Sequence, residues 1–390
     1  MGRPMCRPFP KCPRSVVSLS DADRLALVRR SVAVILANQA SSGAYVASPN
    51  FRVYRYCWLR DGAFIADAMS RTGNPASADG FFKWCNRVLV SRAAKIGSLI
   101  DRHVRGEPIK SDEFLHARYT VDGDEASEEW WNFQLDGYGT WLWALGAHLR
   151  RRPRPTIHPY RDGIELSLRY LLEFWKEPSY DWWEEFAGHR HTSTLAAIFA
   201  GLRDAALMVG IDPGLRRRAT AVCDDIRSTV SSQGRHDGRL AKWLGGDAID
   251  ASLLSCGVPF ALFAVDDPLM ARTVAEIEAS LAHGGVHRYP QDTYYGGGEW
   301  PLLSAMLGWH YAATDRGDDA YRQLDWVARH ASEDGDLPEQ VSDHLLAPAA
   351  RQAWIDRWGP VASPLLWSHA MYLTLASALD LVPADIRAGD

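Results

Sequence analysis

No uninterrupted apolar run in the 390-residue sequence approaches the length of a membrane-spanning helix. Residues 1–14 are rich in proline and basic side chains but lack the apolar stretch of a secretory signal. Cysteine is scarce, since the chain has six, and four of them stand singly in apolar segments, at Cys57, Cys85, Cys223 and Cys256. These absences predict a cytoplasmic protein whose cysteines are free thiols.

The sequence also has no excess of basic residues, and its net charge of −5 argues against binding to nucleic acid or to an anionic membrane. The glycine run at residues 296–298 follows no strand signal, so it is not a phosphate-binding loop. His189 and His191 have the spacing of a metal-binding pair, but no third ligand stands at a credible distance along the chain. Cys6 and Cys12 likewise lack further ligands nearby. We therefore expect no metal and no cofactor.

Apolar residues recur at helical spacing along most of the chain, and strand signals are few. About twelve segments show this spacing: residues 23–37, 63–71, 78–90, 135–149, 163–175, 194–209, 214–230, 249–256, 267–282, 301–313, 320–331 and 364–379. Ser20 supplies a cap for the first of these helices. Two β-like patches lie at residues 45–53 and 287–295. The pattern predicts an all-α protein in which residues 1–20 form a loose arm.

Two adjacent glutamates follow two tryptophans in Asp181-Trp182-Trp183-Glu184-Glu185, and a third glutamate, Glu339, stands far downstream. Hydrolysis of a glycosidic bond requires one protonated carboxyl and one ionised carboxyl. Tryptophan suits this chemistry because its ring desolvates a neighbouring carboxyl, raises its pKa and stacks on sugar faces. Taken alone, such a pair of glutamates is more often a solvated helix end.

Charged residues among aromatic ones recur at two further places. Residues 54–61 place Arg60 and Asp61 directly after two tyrosines and a tryptophan, and residues 288–301 contain Arg288, three tyrosines and the glycine run. Arginine donates a fixed fork of hydrogen bonds and aspartate accepts from neighbouring hydroxyls, as binding of a polyhydroxylated ligand requires. A structural ion pair at a helix start is the alternative interpretation.

Five blocks of the sequence, taken in order, resemble glycoside hydrolase family 15, the inverting exo-acting glycosidases of glucoamylase type. The blocks are residues 54–61, 130–136, 181–185, 288–301, and 339–340 followed by 364–370. The resemblance extends from about residue 44 to residue 377. Each block is weak by itself, but five in the order of the family are specific.

The resemblance implies that Glu184 is the general acid and Glu339 the general base, with Tyr54 near the base and the attacking water. Six further residues would bind the sugars on either side of the scissile bond: Trp58, Arg60, Asp61 and Trp130 the terminal glucose, and Glu185 and Arg288 the leaving-group sugar. Inverting enzymes hold the two carboxyl groups roughly 6.5–9.5 Å apart to admit the water.

The fold of this family is an (α/α)₆ barrel, so the resemblance implies that six helical hairpins close residues 21–390 into one catalytic barrel. Bacterial members usually carry a β-sandwich before the barrel, whereas only about twenty residues precede the first predicted helix here. This departure favours a disaccharide or small oligosaccharide, such as isomaltose or maltose, over a polymer, with an α-1,6 linkage preferred.

Three other functions are alternatives. A trehalase of the same family would have the same subsite for the terminal glucose. A catalytically inactive sugar-binding relative would have lost one of the glutamates, and both are present. A terpene cyclase would need an aspartate-rich metal motif, and Asp266-Asp267 followed by Pro268 lacks the third aspartate. The sequence leaves the oligomeric state open.

Overall fold

A computed structural model describes residues 18–383 and Ile386. Thirteen α-helices lie between residue 18 and residue 383: α1 Asp21–Ala37, α2 Leu59–Arg71, α3 Pro75–Val90, α4 Ala93–Val104, α5 Asp136–Arg151, α6 Arg161–Phe174, α7 Thr192–Leu207, α8 Pro213–Gln233, α9 Pro268–Leu281, α10 Pro301–Ala313, α11 Gly317–Arg329, α12 Arg351–Trp358 and α13 Leu366–Ala378. The same residues contain two short antiparallel ribbons. Strand β1 (Cys57–Trp58) pairs with β2 (Arg118–Tyr119), and β3 (Arg235–His236) pairs with β4 (Arg239–Leu240).

Six helical hairpins form an (α/α)₆ barrel. The inner ring consists of α2, α5, α7, the 3₁₀ helix Ala251–Cys256, α10 and α13, and each inner element contacts the next until α13 returns to α2. The outer ring consists of α1, α3, α6, α8, α9 and α11. The predicted fold class is therefore confirmed, and the closed order of contacts shows how the hairpins of the sequence complete a ring.

Burial separates the two rings. Inner helix α5 is buried continuously from Asp136 to Leu149, whereas outer helix α8 buries one residue every three or four positions, on one face. The inner helices approach closely at Gly139 of α5, where an added Cβ would lie 2.3 Å from the carbonyl oxygen of Ala197 in α7. Only glycine fits at that crossing, because a side chain there would push α5 and α7 apart and widen the ring.

The first helix begins where the sequence predicts, but other parts of the local structure differ from the prediction. Ser20 and Asp23 form a capping box at α1, as the sequence indicates. The helix predicted over residues 249–256 is instead a 3₁₀ helix, which Gly257 and Pro259 end within two turns. The two β-like patches lie in loops beside the inner ring, with single 3₁₀ turns and an isolated bridge at Tyr45, and the four named strands lie elsewhere.

Helices α4 and α12 were not predicted because they bury little apolar surface, with Ile96 and Leu99 buried in α4 and no residue buried in α12. The cysteines behave as expected, since Cys57, Cys85, Cys223 and Cys256 are buried free thiols. None of the helices in residues 18–383 combines the length and the apolar character needed to cross a bilayer.

The predicted loose arm falls mostly on residues 1–17, which lie outside the described residues, as do Cys6 and Cys12. The described end of that segment contacts the barrel: the Ser18 hydroxyl and the Leu19 amide donate to the carboxylate of Asp325 in α11.

The loops that enter the inner ring all arrive at one end of the barrel. They precede the amino termini of α2, α5, α7, the 3₁₀ helix, α10 and α13, and the five sequence blocks described above lie in these loops and in the first turns of the helices that follow. Rigid buried helices thus present loop side chains at a common mouth. This arrangement brings Tyr54 and Glu339, which are 285 positions apart, into hydrogen-bond contact.

Candidate active site

A single pocket at this end of the barrel is lined by every site residue that the sequence predicts. The nine residues are Tyr54, Trp58, Arg60, Asp61, Trp130, Glu184, Glu185, Arg288 and Glu339. Tryptophan forms much of the remaining wall, through Trp131, Trp182, Trp183, Trp300, Trp354, Trp358 and Trp367. The pocket therefore combines carboxyl groups, two arginines and flat apolar rings, which suits a ligand with hydroxyl groups and apolar ring faces.

Glu184 lies on a tight turn before α7, with a positive φ of 64°. Its Oε1 atom accepts two hydrogen bonds, from Nε1 of Trp58 at 2.7 Å and from Nε2 of Gln134 at 2.9 Å. A left-handed backbone at a non-glycine residue costs free energy and persists only where its surroundings hold it. The surroundings here aim the carboxyl group into the pocket.

Asp181 stabilises the turn that carries Glu184. Its Oδ1 atom accepts the backbone amides of Trp183 and Glu185, both at 2.9 Å, so the carboxylate fills the inside of the turn. Two backbone hydrogen bonds close the same turn, from Glu184 N to Asp181 O and from Asp181 N to Glu185 O, each at 3.0 Å. The positive φ of Glu184 is thus stabilised from both sides.

Glu339 lines the same pocket and is buried in its wall, with both carboxyl oxygens bound by tyrosine hydroxyls. Tyr54 donates to Oε1 at 2.9 Å, and Tyr294 donates to Oε2 at 3.2 Å. Burial raises the pKa of Glu339 to about 7, although the hydrogen bond from Tyr54, the charge of Arg288 and the hydrogen bond from Tyr294 act to lower it. This carboxyl group therefore changes charge near neutral pH.

Arg60 and Asp61 stand at the floor of the pocket. Nη1 of Arg60 donates to Oε1 of Gln134 at 2.8 Å and to Oδ2 of Asp136 at 2.9 Å. Burial raises the pKa of Asp61 to about 7, and the charge of Arg60 acts against this rise. Nε of Arg60 and Oδ1 of Asp61 are buried without a hydrogen-bond partner and lie 3.7 Å apart, so the two side chains form an ion pair in the floor of the pocket.

A second group of polar residues lies on the side of Glu185. Arg288 makes a forked contact with Asp292, at 2.7 and 2.5 Å, and its Nη2 lies 3.6 Å from Oε1 of Glu185. Tyr289 donates to Oε2 of Glu185 at 2.6 Å. Burial raises the pKa of Glu185, while the charge of Arg288 and the hydrogen bond from Tyr289 oppose the rise. The forked contact fixes the direction of the guanidinium group.

Several residues of the site were not predicted. Gln134, Asp136, Asp292 and Tyr294 stand inside the matching blocks, and their polar side chains among aromatic residues were a usable signal. Two others, Trp354 and Trp358, belong to α12, whose sequence shows no periodic apolar pattern. Trp354 packs against the ring of Tyr294 with centroids 4.9 Å apart, so α12 covers the side of the pocket that holds Glu339.

The histidine pair needs no metal to explain it. His191 is buried immediately before α7, where its Nε2 lies 3.0 Å from the carbonyl oxygen of Phe186, and His189 stacks on the ring of Trp243 with centroids 4.3 Å apart. Within residues 18–383, no group of three or more candidate ligands is arranged to hold a metal ion.

Comparison with known proteins agrees with the geometry. The sequence model of the family described as "Glycosyl hydrolases family 15" matches residues 22–321. "Isomaltose glucohydrolase" of Kribbella flavida is 48% identical over 360 residues, which are 92% of this chain and 93% of that protein.

Solved structures show the same likeness. A glycosidase variant in complex with glucose superposes with a TM-score of 0.91 at 46% identity, over 93% of this chain and 98% of that chain. A bacterial glucoamylase complexed with acarbose superposes with a TM-score of 0.73 at 19% identity, over 93% of this chain and 57% of that one. The second likeness supports the fold alone.

Proposed function

The chain belongs to glycoside hydrolase family 15, and we propose that it is an exo-acting α-glucosidase that inverts the anomeric centre and releases β-glucose from short α-glucosides. The main observation behind this proposal is that two carboxyl groups in one pocket accept hydrogen bonds from different kinds of donor. An indole and an amide bind Glu184, whereas two phenols bind Glu339. Two such environments allow one carboxyl group to act as acid and the other as base.

Glu184 is the proposed general acid. Its Oε1 accepts both N–H groups, from Trp58 and Gln134, which leaves Oε2 to carry the proton and deliver it to the glycosidic oxygen. The turn at residues 181–185 aims this group because Asp181 fixes the amides on either side of Glu184. Proton donation to the leaving oxygen lowers the barrier to cleavage of the bond.

Glu339 is the proposed general base. Its ionised form accepts a proton from the water that attacks the anomeric carbon on the opposite face of the sugar. Tyr54 and Tyr294 hold the carboxylate by both oxygens, so its orientation is set before water binds. One displacement on the opposite face inverts the anomeric centre and yields β-glucose.

Trp58, Arg60, Asp61 and Trp130 are proposed to bind the terminal glucose, and Glu185 with Arg288 the next sugar. Arg60 and Asp61 line the pocket as a charged pair of hydrogen-bond donor and acceptor, which suits the hydroxyl groups of the terminal unit. Tryptophans from α12 and from residues 130–131 enclose the remaining wall, which favours a disaccharide or trisaccharide. The name of the relative that is 48% identical supports an α-1,6 linkage as the preferred one.

One assay tests both the chemistry and the substrate. The protein is incubated with isomaltose, maltose, trehalose and isomaltotriose, and the anomeric protons of the products are followed by NMR from the first seconds. We expect isomaltose to be the best substrate, and we expect isomaltotriose, whose first cleavage releases one glucose from the non-reducing end, to give β-glucose first. Initial release of α-glucose from isomaltotriose would contradict a single displacement, and hydrolysis of trehalose in preference to the other substrates would favour the trehalase alternative.

The pH dependence of kcat/KM follows from the raised pKa values of Glu339 and Asp61, both about 7. Each carboxyl group is needed as its ionised form, one to accept a proton and the other to accept sugar hydroxyls. Each is protonated as the pH falls below about 7. We therefore expect kcat/KM to decline below pH 7, with a limiting slope approaching two decades per pH unit.

The variant Asp61→Asn serves as the control, because it removes one of the two titrating groups. Its slope on the acid side should approach one decade per pH unit, although its absolute kcat/KM is lower. A wild-type profile that stays flat down to pH 5 would contradict the assignment of these groups.

A further inference from the structure

A buried ammonium group lies behind the turn that carries Glu184, outside the pocket itself. Nζ of Lys242 is 3.1 Å from Oδ2 of Asp181 and 2.9 Å from Oδ2 of Asp250. The side chains of all three residues are less than 5% exposed. A buried lysine with two carboxylate partners is rare, because removing three charges from water is costly unless the opposite charges are in close contact.

The two carboxylates hold different parts of the acid side of the site. Asp181 binds the amides of Trp183 and Glu185 and so shapes the strained turn at Glu184. Asp250 receives the indole N–H of Trp183, whose nitrogen lies 3.1 and 2.9 Å from its two oxygens, and it also caps the 3₁₀ helix at Ser252. Lys242 therefore joins the backbone of the turn to the aromatic wall beside it.

The same ammonium group also contacts the side of the proposed leaving-group site. Nζ of Lys242 lies 4.0 Å from the ring centroid of Tyr289, which donates to Glu185, and 4.4 Å from that of Phe186. The residue after Asp250 donates its amide to the carbonyl oxygen of Arg288 at 2.8 Å. Through these contacts Lys242 lies between Glu184 and the residues proposed to bind the second sugar.

Removal of the ammonium group would leave two carboxylates facing the same buried space. Burial acts to lower the pKa of Lys242, but Asp250 and Asp181 outweigh it and raise the pKa, so the lysine stays charged at neutral pH. Without that charge, one carboxyl group must take up a proton or move toward water. A protonated Asp181 accepts hydrogen bonds from the turn amides more weakly, and the turn loses the support for the positive φ of Glu184.

We propose that Lys242 is a positioning residue that keeps Glu184 aimed at the leaving oxygen, acting through Asp181 and Asp250. The inference rests on the proposed role of Glu184 as the general acid. A purely structural ion pair would affect all substrates alike, whereas a misdirected acid slows those substrates whose leaving group must be protonated. Fluoride leaves without that help, so α-glucosyl fluoride reports on the remaining site alone.

The experiment compares Lys242→Met, which keeps most of the length of the side chain and removes its charge, with the unmodified protein on both substrates. For the preferred disaccharide we expect kcat to fall by about 10²-fold, the order of loss that a misplaced catalytic group produces. For α-glucosyl fluoride we expect a loss of less than about threefold. Lys242→Arg, which restores the positive charge, should recover at least part of the disaccharide activity.

Arg24→Met is the matched control. Arg24 and Asp325 form another buried ion pair, at 2.8 Å between α1 and α11, away from the pocket. Its loss should lower the melting temperature without changing the ratio of the two activities. If Lys242→Met does not fold, Asp250→Asn replaces it, since this change removes one charge at nearly constant size and should shift the ratio in the same direction.

Glu184→Gln, measured in parallel, separates failure of the inference from failure of the proposed function. If Glu184→Gln loses both activities equally, Glu184 is not the acid. If Glu184→Gln loses the disaccharide activity selectively while the folded Lys242 variant loses both activities equally, or neither, the role assigned to Lys242 is wrong.

Discussion

Glu184→Gln and Glu339→Gln are each expected to lower kcat for the preferred α-glucoside by about 10²–10⁴-fold or more. Glutamine keeps the size of each side chain, but it can neither release a proton to the leaving oxygen nor accept one from water. The measurement is initial glucose release under saturating substrate.

Glu185→Gln is the internal control because Glu185 is adjacent in sequence and lines the same pocket. Its proposed contact is with the leaving-group sugar, so the substitution should raise KM more than it lowers kcat. Near-normal kcat in either Glu184→Gln or Glu339→Gln would remove that residue from the mechanism.

The stability of Glu339→Gln distinguishes lost chemistry from lost structure. The pKa of Glu339 is raised from 4.5 to about 7, so the folded protein binds the proton more tightly than the unfolded chain does. The stability that the protonated carboxyl contributes is present at low pH and is lost as the pH rises through about 7. At pH 8 the uncharged variant should therefore be more stable than the unmodified protein, by up to roughly 3 kcal/mol.

The fold followed from the sequence in two different ways. Helical periodicity located the inner and outer helices within a few residues, because each helix buries either all of its surface or one continuous face. Closure of the hairpins into a ring came from the family resemblance, since periodicity carries no information about which helices meet. Close packing at Gly139 shows the kind of contact that decides closure, and no local pattern marks it.

The site was predictable where its residues stand inside short blocks rich in aromatic and charged side chains. Lys242 could not be predicted, because its partners Asp181 and Asp250 are brought to it by the barrel rather than by a motif. The same holds for the α12 tryptophans, whose role depends on where a polar helix is placed. Residues that support catalytic groups from behind are therefore visible only in three dimensions.

Substitution of Arg60 is expected to have the second large effect, because its guanidinium group contributes both to the stability of the fold and to the proposed glucose site. It is buried and donates to Gln134 and Asp136, and its Nε lies 3.7 Å from Oδ1 of Asp61. Gln134 in turn donates to Glu184, so Arg60 also fixes the amide that orients the proposed acid. Loss of the cation leaves carboxyl groups in the floor of the pocket without their partner.

Arg60→Met should therefore lower the free energy of unfolding by about 3–5 kcal/mol, the usual result of breaking a buried ion pair from one side. At a temperature where the variant is folded, kcat/KM should fall by about 10³-fold, because Asp61 loses the charge that opposes its raised pKa and stays protonated at neutral pH. Arg60→Lys is the control: it keeps the charge but not the fork, so it should retain more of the stability than Arg60→Met while kcat/KM still falls by roughly 10²-fold. Urea unfolding and initial rates measure the two effects separately, and an Arg60→Met protein that retained kcat/KM within tenfold of the original would show that Arg60 does not bind the terminal glucose.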